Sequence, residues 1–409
     1  MTLFEDLKWR GLIKDVAGED LADKLNGEAI TFYWGTDPTA DSLHIGHYSS
    51  LVTAKRLMLA GHHPILLCGG ATGRIGDPRP TAEREILDYE VIESNIKGIR
   101  SQIDRLFDGK AELVDNYDWT KEYTFLEFLR DIGKYINVNY MINKDIISRR
   151  LETGITYAEF SYMLLQGYDF LHLYKTKNCI MQVEGSDQWG NITTGIELIK
   201  KKLGKEAYAF TMPLILDNNG NKFGKSEGNA LWLDKNKTTP YKIYQYLINS
   251  DDSKVFEYLK VFTFLSREEI EDVMKRHEEK PELRLAQKTL AYEVVKDIHN
   301  EEEAKKAIMM SEALFTENFK ELSGDEIKEL FREDEMVNVT SLNLVDLLIE
   351  VGAAKSRREA REFISGNAVK INGEKINDLE YSLSDSDYID NTYIIVKRGK
   401  KNYYVGMRS

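Results

Sequence analysis

Residues 30–47 read ITFYWGTDPTADSLHIGH. The apolar run from Ile30 to Trp34 predicts a β-strand, which ends at Gly35. A helix is predicted from about Leu43 to Leu59, and Gly61 follows it as a stop signal. A strand that passes through a short loop into a helix is the repeating unit of a parallel sheet with helices on both faces. This stretch therefore predicts an α/β fold.

The alternation of short apolar strands and longer amphipathic helices continues to about residue 230. We predict that residues 1–220 form a Rossmann-like, doubly wound parallel sheet with a mostly helical insertion at about residues 100–175. Ligands of such sheets bind beyond the carboxyl ends of the strands. Further strands are predicted at three apolar runs, residues 64–68, 179–183 and 211–216.

The pattern changes twice beyond the sheet. Residues 221–320 are mostly helical and highly charged, whereas residues 321–340 lose periodicity and are predicted to be a linker. Residues 341–409 follow the order helix, helix, strands, which predicts a small α+β domain. This domain carries a local basic cluster at Lys397, Arg398, Lys400 and Lys401.

Composition limits the class of protein. The chain has 409 residues, 42% of them hydrophobic, which is enough for two to four domains, and its net charge of −13 argues against indiscriminate nucleic-acid binding. No apolar run is long enough for a membrane span, and the N-terminus lacks the features of a secretory signal. Cys68 and Cys179 each lie in an apolar run, so we expect buried thiols. A cytoplasmic enzyme is expected.

Two segments suggest a triphosphate site. His44 and His47 share one face at the start of a predicted helix, where free backbone N–H groups favour anions. Far downstream, Lys222-Phe223-Gly224-Lys225-Ser226 forms a glycine-containing loop with two lysines, which we call the signature loop. Taken singly, the histidines could be ordinary core or surface residues and the loop a basic surface loop. Zinc ligation would need an acidic or cysteine partner at a suitable spacing.

A further helix is predicted from Thr156, which forms a capping-box pair with Glu159. Tyr162, Gln166 and Asp169 follow at i, i+4 and i+7, so they form one polar stripe. The stripe could be a solvated face, or it could be the polar wall of a pocket for a small ligand. Two loops leave similar alternatives open, since each could be an ordinary turn or a ligand-binding segment: residues 69–77, rich in glycine, and residues 185–191.

Together these segments resemble class I aminoacyl-tRNA synthetases, and most closely the bacterial-type tyrosyl-tRNA synthetases. His44-Ile45-Gly46-His47 matches the HIGH signature, and the signature loop matches the KMSKS signature in its KFGKS form. Tyr168-Asp169-Phe170 and Gly185-Ser186-Asp187-Gln188-Trp189 match motifs of the tyrosine enzymes. Residues from about 342 onward resemble an S4-type RNA-binding domain, and residues 221–320 would include the anticodon-recognition helices.

The resemblance implies a reaction and a set of roles. L-Tyrosine would be activated by ATP, accompanied by Mg²⁺ without a dedicated protein metal site, and then transferred to tRNA(Tyr) by a homodimer that does not contact a membrane. The tyrosine substrate would be held by Tyr33, Asp77, Tyr162, Gln166, Asp169 and Gln188. ATP and the adenylate would contact Gly35, Asp37, His44, His47, Gly185, Asp187 and Lys225. Catalysis would use Thr39, His44, His47, Lys222, Lys225, Ser226 and Arg84.

Some positions depart from the family pattern. Trp34 stands where a small residue is usual, Glu184 replaces a frequent glycine, and residues 79–84 form a shorter, less basic loop than in many relatives. These departures concern ribose contacts and the basic loop, and not the reaction type. Two alternatives remain: a tryptophanyl-tRNA synthetase, or a catalytically inactive RNA-binding paralogue.

Overall fold

The computed structural model describes residues 1–79, 84, 87–226, 229–331, 336–399 and 402–408, with the backbone alone for Lys225, Ser226 and Asn229. The chain forms two compact units. The first comprises residues 1–239 and 246–299, and the second comprises residues 240–245 and 300–409. Among the described residues, no helix combines the length and apolar character that crossing a membrane requires.

A six-stranded sheet organises the first unit, in the order β1-β6-β5-β2-β3-β4. All neighbouring strands are parallel except β1, which pairs antiparallel with β6. The α/β parallel-sheet prediction is therefore confirmed. The strands are β1 (Val16–Ala17), β2 (Thr31–Thr36), β3 (His63–Cys68), β4 (Glu112–Asp115), β5 (Cys179–Gly185) and β6 (Tyr208–Met212), and a two-stranded ribbon adds β7 (Lys225–Ser226) and β8 (Asn229–Ala230).

Helices surround the sheet and connect its strands. The first ten are α1 (Leu3–Trp9), α2 (Leu21–Asn26), α3 (Ile45–Leu59), α4 (Tyr89–Leu106), α5 (Tyr117–Thr120), α6 (Phe125–Asp131), α7 (Val138–Ile142), α8 (Asp145–Leu151), α9 (Tyr157–Lys177) and α10 (Trp189–Leu203). They are followed by α11 (Pro240–Ile248), α12 (Asp252–Phe262), α13 (Arg267–Glu279) and α14 (Leu285–Ile298).

Local sequence explains where the helices and strands that carry the candidate site begin and end. His44 caps α3, and a complete capping box between Thr156 and Glu159 starts α9 as predicted. The last strand ends at Met212, four residues before the predicted end, because Pro213 has no N–H to continue the ladder. Since β2, β3 and β5 are parallel, their carboxyl ends lie at one edge of the sheet.

The predicted helical insertion at residues 100–175 is not purely helical. The edge strand β4 lies within it and pairs with β3, and α4 already begins at Tyr89. The strand escaped prediction because only Leu113 and Val114 are apolar in it, which is too short a run to show periodicity. Four short helices, α5 to α8, and the 21-residue helix α9 therefore make up the helical part between β4 and β5.

The second unit is built on a five-stranded sheet in the order β11-β10-β12-β13-β9, in which only β9 and β13 are parallel. A core of apolar side chains from α17, α18 and the strands fills its interior. The elements are α15 (Glu301–Thr316), α16 (Gly324–Leu330), β9 (Met336–Val339), α17 (Leu344–Glu350), α18 (Arg357–Ser365), β10 (Val369–Ile371), β11 (Glu374–Lys375), β12 (Tyr393–Arg398) and β13 (Asn402–Arg408).

The stretch predicted to be a linker, residues 321–340, contains secondary structure instead. It holds α16 and β9, and β9 pairs with β13 over four residues. Glu317, just before this stretch, forms ion pairs of 2.6 Å with Lys370 and Lys397. The C-terminal fold therefore begins before residue 341. These elements lacked visible periodicity because each is only one or two turns, or four residues, long.

Candidate active site

Asp169 lies on α9 and is 2% exposed. One carboxylate oxygen accepts a hydrogen bond from Asn116 Nδ2 and the other from Trp119 Nε1, both at 2.9 Å. Burial raises the pKa of Asp169 to about 7, although these two hydrogen bonds oppose the rise. The carboxyl is therefore held in one orientation and titrates near neutral pH.

Two buried polar atoms, on β2 and on α9, have no hydrogen-bond partner among the described residues: the Tyr33 hydroxyl and Gln166 Oε1. Tyr33 lies on β2 and packs against Phe170 with ring centroids 5.4 Å apart. Burial, and then the nearby Asp169, raise the pKa of Tyr33 well above its usual range. Buried polar groups are rarely left unpaired, so these atoms are suited to binding a ligand.

Asp37, just beyond β2, connects α9 to the glycine-rich loop after β3. Its carboxylate accepts hydrogen bonds from Thr72 Oγ1 at 2.7 Å and from the Tyr162 hydroxyl at 2.8 Å. Burial raises its pKa. A Cβ at Gly69 would lie 2.2 Å from Asp37 Oδ1, so glycine is required there for the loop to approach the carboxylate. The glycines of this loop thus accommodate protein side chains.

Asp77 forms a second carboxylate centre. Gln188 Nε2 donates to it at 2.9 Å and Asn191 Nδ2 at 3.2 Å, while Arg84 Nε donates to the Asp77 backbone carbonyl at 2.9 Å. Burial raises the pKa of Asp77 to about 6, with nearby Asp37 acting in the same direction. Asp37, Asp77 and Asp169 together make this pocket electronegative, which suits a cationic group on a ligand.

The two histidines at the start of α3 are stacked, with ring centroids 3.9 Å apart. His44 Nδ1 accepts the Gly46 N–H at 3.0 Å, and His47 Nδ1 accepts the His44 N–H at 3.2 Å. Burial and the neighbouring His44 lower the pKa of His47 to about 3, so this ring is neutral near pH 7. A neutral ring that accepts at Nδ1 carries its proton on Nε2, which makes that atom a hydrogen-bond donor.

The signature loop is attached to the start of α3 by its backbone. The Ile45 N–H donates to Leu231 O at 2.8 Å, and the Leu231 N–H donates to Gly224 O at 3.0 Å. Gly224 has a φ of +90°, and a Cβ there would lie 1.9 Å from Ile45 Cγ2. Phe223 is buried and packs on an aromatic cluster of Tyr246, Tyr258 and Phe262. The two signatures, 175 residues apart in sequence, thus meet at one place.

Other predicted residues are less enclosed. Thr39, Asp187 and Lys222 are exposed, and Gly185 ends β5, where a Cβ would lie 2.7 Å from Asp187 Oδ1. The side chains of Lys225 and Ser226 lie outside what the structure describes, as do the residues on either side of Arg84. The described residues contain no group of three His, Cys, Asp or Glu side chains that could hold a metal ion.

The two atypical residues occupy defined positions at the same sheet edge. Trp34 is buried and donates through Nε1 to Ser50 Oγ at 3.0 Å. Glu184 is 5% exposed, and its Oε1 accepts the Gly35 N–H at 2.6 Å. The nitrogen of Gly35, predicted to contact nucleotide, is therefore already bonded to a protein carboxyl.

Sequence reasoning did not assign several residues that the structure brings into the site: Thr72, Asn116, Trp119 and Asn191. Asn191 lies at the end of residues 185–191 and Thr72 lies in the glycine-rich loop of residues 69–77. The sequence therefore indicated both segments, although not these two side chains. Asn116 and Trp119 follow the unrecognised strand β4, and nothing in the sequence linked them to Asp169.

Comparison with known proteins identifies the relatives of this chain. Residues 25–316 match the model of class I tRNA synthetases (W and Y), and residues 326–405 match that of the tyrosine–tRNA ligase SYY-like C-terminal domain. The chain is 50% identical to the tyrosine–tRNA ligase of Staphylococcus carnosus and 48% identical to tyrosine–tRNA ligase 1 of Bacillus subtilis, each match covering 98% of both chains.

The chain belongs to the tyrosine–tRNA ligase family. A solved member, a C-terminally truncated mitochondrial tyrosyl-tRNA synthetase from Aspergillus nidulans, matches it with a TM-score of 0.68 at 34% identity, covering 77% of this chain and 94% of that one. The first family model includes both tryptophan and tyrosine enzymes. The full-length relatives and the C-terminal model are those of tyrosine–tRNA ligases, which favours a tyrosine enzyme over a tryptophan enzyme.

Proposed function

We propose that this protein is an active ligase that couples L-tyrosine to ATP, forming tyrosyl-adenylate and pyrophosphate, and then transfers the tyrosyl group to the 3′-terminal ribose of tRNA(Tyr). The observation that carries this proposal is the buried, unpaired Tyr33 hydroxyl beside the oriented carboxyl of Asp169. A phenol can accept a hydrogen bond from one and donate to the other. Phenylalanine would leave the Tyr33 hydroxyl unpaired and would bring no donor to the Asp169 carboxylate, an effect for which this enzyme family is itself the established example.

The remainder of the amino acid fits the polar groups further along α9. Asp77, oriented by Gln188, offers an ionic partner for the α-ammonium group. Tyr162 and Gln166 lie on the same helix face as Asp169, and Gln166 Oε1 lacks a partner among the described residues. We infer that these four side chains hold the α-ammonium end of tyrosine.

We assign the ATP side to the ends of β2 and β5 and to the two signatures. The tyrosine carboxylate is already a nucleophile for the α-phosphorus, so catalysis consists of positioning and of stabilising charge on the departing pyrophosphate. Mg²⁺ would accompany ATP through its phosphates. Nucleotide contacts are proposed for Gly35, Asp37, Gly185 and Asp187, and charge stabilisation for Thr39, His44, His47, Arg84, Lys222, Lys225 and Ser226.

We infer that the second unit binds tRNA through α18, in the manner of an S4-like domain. Arg357, Arg358 and Arg361 line a shallow groove of about 610 Å³ on this helix, together with Glu362 and Ser365. The planar guanidinium group of arginine can donate two hydrogen bonds to one phosphate group. Contacts with phosphates contribute most of the affinity of proteins for nucleic acids. Because the proposed substrate is tRNA, we also propose that the protein works in the cytoplasm.

We also propose a homodimer. Large apolar side chains of the insertion are exposed, among them Phe125 at 66% and Leu126 at 75% on α6, and Tyr157 at 64% at the start of α9. Large apolar side chains that are exposed on a single chain are typical of a surface that another protein chain covers. The double variant Leu126→Asp, Tyr157→Asp should halve the mass measured by light scattering. An unchanged mass would exclude this interface.

Tyrosine-dependent exchange of labelled pyrophosphate into ATP tests the activation step. We expect exchange with tyrosine and none with tryptophan. Exchange with tryptophan alone would overturn the assigned substrate, and no exchange with any amino acid would favour an inactive paralogue.

A further inference from the structure

A row of polar groups crosses the sheet beneath the proposed phenol site. Tyr33 on β2 pairs in parallel register with Gln182 on β5, so their side chains lie on the same face of the sheet. Glu184, two residues further along β5, shares that face. The row therefore runs from Tyr33 through Gln182 to Glu184.

The middle member of this row is unpaired. Gln182 is 1% exposed, and neither its amide oxygen nor its amide nitrogen has a hydrogen-bond partner among the described residues. The Tyr33 hydroxyl is in the same situation. Burying an amide without hydrogen bonds costs free energy, so a buried glutamine with two free polar atoms suggests a role in binding.

Glu184 has the properties of a neutral acid. Burial raises its pKa well above the usual range, and the hydrogen bond from the Gly35 N–H only partly opposes this. The charged groups that face it are the carboxylates of Asp187 and Asp37, which raise its pKa further. One of its oxygens already accepts the Gly35 N–H. A protonated Glu184 thus keeps one O–H to donate.

We propose that Glu184 is a positioning residue for the tyrosine substrate, acting through Gln182 on Tyr33. In this relay, which forms when the substrate is bound, the Glu184 O–H donates to Gln182 Oε1, Gln182 Nε2–H donates to the Tyr33 oxygen, and the Tyr33 O–H donates to the substrate phenol. This order makes Tyr33 a donor, which leaves the substrate's own O–H for Asp169. The inference rests on the proposed role of Tyr33.

The test compares tyrosine with phenylalanine, because a relay that acts on the hydroxyl affects only tyrosine. Gln182→Leu and Glu184→Met should each lower the ratio of kcat/KM for tyrosine to that for phenylalanine by about three- to tenfold, the range of one hydrogen bond. The double variant should lose little more than either single variant, because both break the same relay. Pyrophosphate exchange at saturating ATP gives both constants.

The conservative variant Glu184→Gln should retain the ratio, since a carboxamide can accept from Gly35 and donate to Gln182 without a charge. Val183→Ala is the matched control, because Val183 is buried on the opposite face of β5 and its loss should lower stability without changing the ratio. Loss of the ratio in Glu184→Gln would overturn the neutral-acid role.

Tyr33→Phe separates this inference from the proposed function. If Tyr33→Phe leaves the tyrosine-to-phenylalanine ratio unchanged, then the assignment of Tyr33 to the phenol site is wrong. If Tyr33→Phe lowers the ratio and the variants at 182 and 184 do not, then the phenol site stands and the relay is refuted.

Discussion

Asp169 illustrates how a single buried carboxyl combines orientation with a titration near neutrality. Two neutral donors fix its oxygens, yet burial holds its pKa at about 7. Because this pKa is raised from 3.8, the folded protein retains a proton that the unfolded chain releases, so the stability of the fold falls as the pH rises from about 4 to about 7 and does not change further above that. Binding a phenol that donates to the carboxylate would compensate for that loss.

Tyrosine affinity should therefore rise with pH. The ionised form of Asp169 is the stronger acceptor, so we expect the Kd for tyrosine to fall between about pH 6 and pH 8, as measured by equilibrium dialysis. Asp77, with a pKa of about 6, titrates in the same interval. The variant Asp77→Asn should bind more weakly but keep the step near pH 7, whereas Asp169→Asn should lose it. A flat profile in the wild type contradicts the role of Asp169.

The sequence predicted the residues that α9 contributes to this site, but not the residues that follow β4. Tyr162, Gln166 and Asp169 were accessible because a helix repeats its faces at i, i+4 and i+7. Asn116 and Trp119 come from a segment some fifty residues earlier, and only the folded sheet brings them to Asp169. Hydrogen bonds over such separations leave no local pattern in a single sequence.

The backbone of the signature loop approaches α3 closely at Gly224, where there is no room for a Cβ atom. Gly224→Ala should lower kcat for pyrophosphate exchange by about five- to 150-fold, since the backbone strain and the clash with Ile45 together cost about 1–3 kcal/mol. The Kd for tyrosine should not change. Gly220→Ala is the control, because Gly220 also has a positive φ, +81°, but its Cβ would meet nothing within 4 Å. Equal losses in both variants would show that backbone strain, and not the clash, matters.

The helix α18 should bind phosphates of the tRNA backbone. Replacing Arg358 and Arg361 by alanine should weaken tRNA binding and reduce the slope of log affinity against log salt by about 1 for each arginine that pairs with a phosphate. Tyrosine-dependent exchange should be unaffected. Lys305→Ala with Lys306→Ala on α15 removes the same charge and is the control. Equal weakening by both double variants would indicate only a general effect of charge.

For the whole molecule, the division between activation and tRNA charging can be tested by truncation. Three features that follow Thr316 are bonded to the C-terminal sheet: Glu317 pairs with two of its lysines, Phe319 packs on Tyr403, and β9 pairs with β13. A chain ending at Thr316 should retain pyrophosphate exchange and lose aminoacylation by on the order of a hundredfold, since phosphate contacts dominate affinity for nucleic acids.

A chain ending at Thr340, the boundary predicted from sequence, serves as the comparison. It would leave β9 without β13 and expose an unpaired strand edge, so it should aggregate. Equal loss of exchange and charging in the chain ending at Thr316 would mean that the second unit is needed for the fold of the first.

The larger features of the fold could be predicted and the smaller ones could not. The strand and helix of residues 30–59 were recognisable because an apolar run and a capped, glycine-ended helix each last several residues. β4 and β9 were missed because their pairing partners, and not their own periodicity, stabilise them, and α16 was missed because it is only seven residues long. The boundary between domains was misplaced for the same reason.

The backbone bonds between the signature loop and α3 also make loop opening observable. The amide of Ile45 is protected by Leu231, that of Leu231 by Gly224, and that of Leu233 by Leu43. These three hydrogens should exchange with deuterium at one common rate, because a single opening event frees them all. Mass spectrometry of the peptides that contain them would thus report how often the two signatures separate, without any substrate or label.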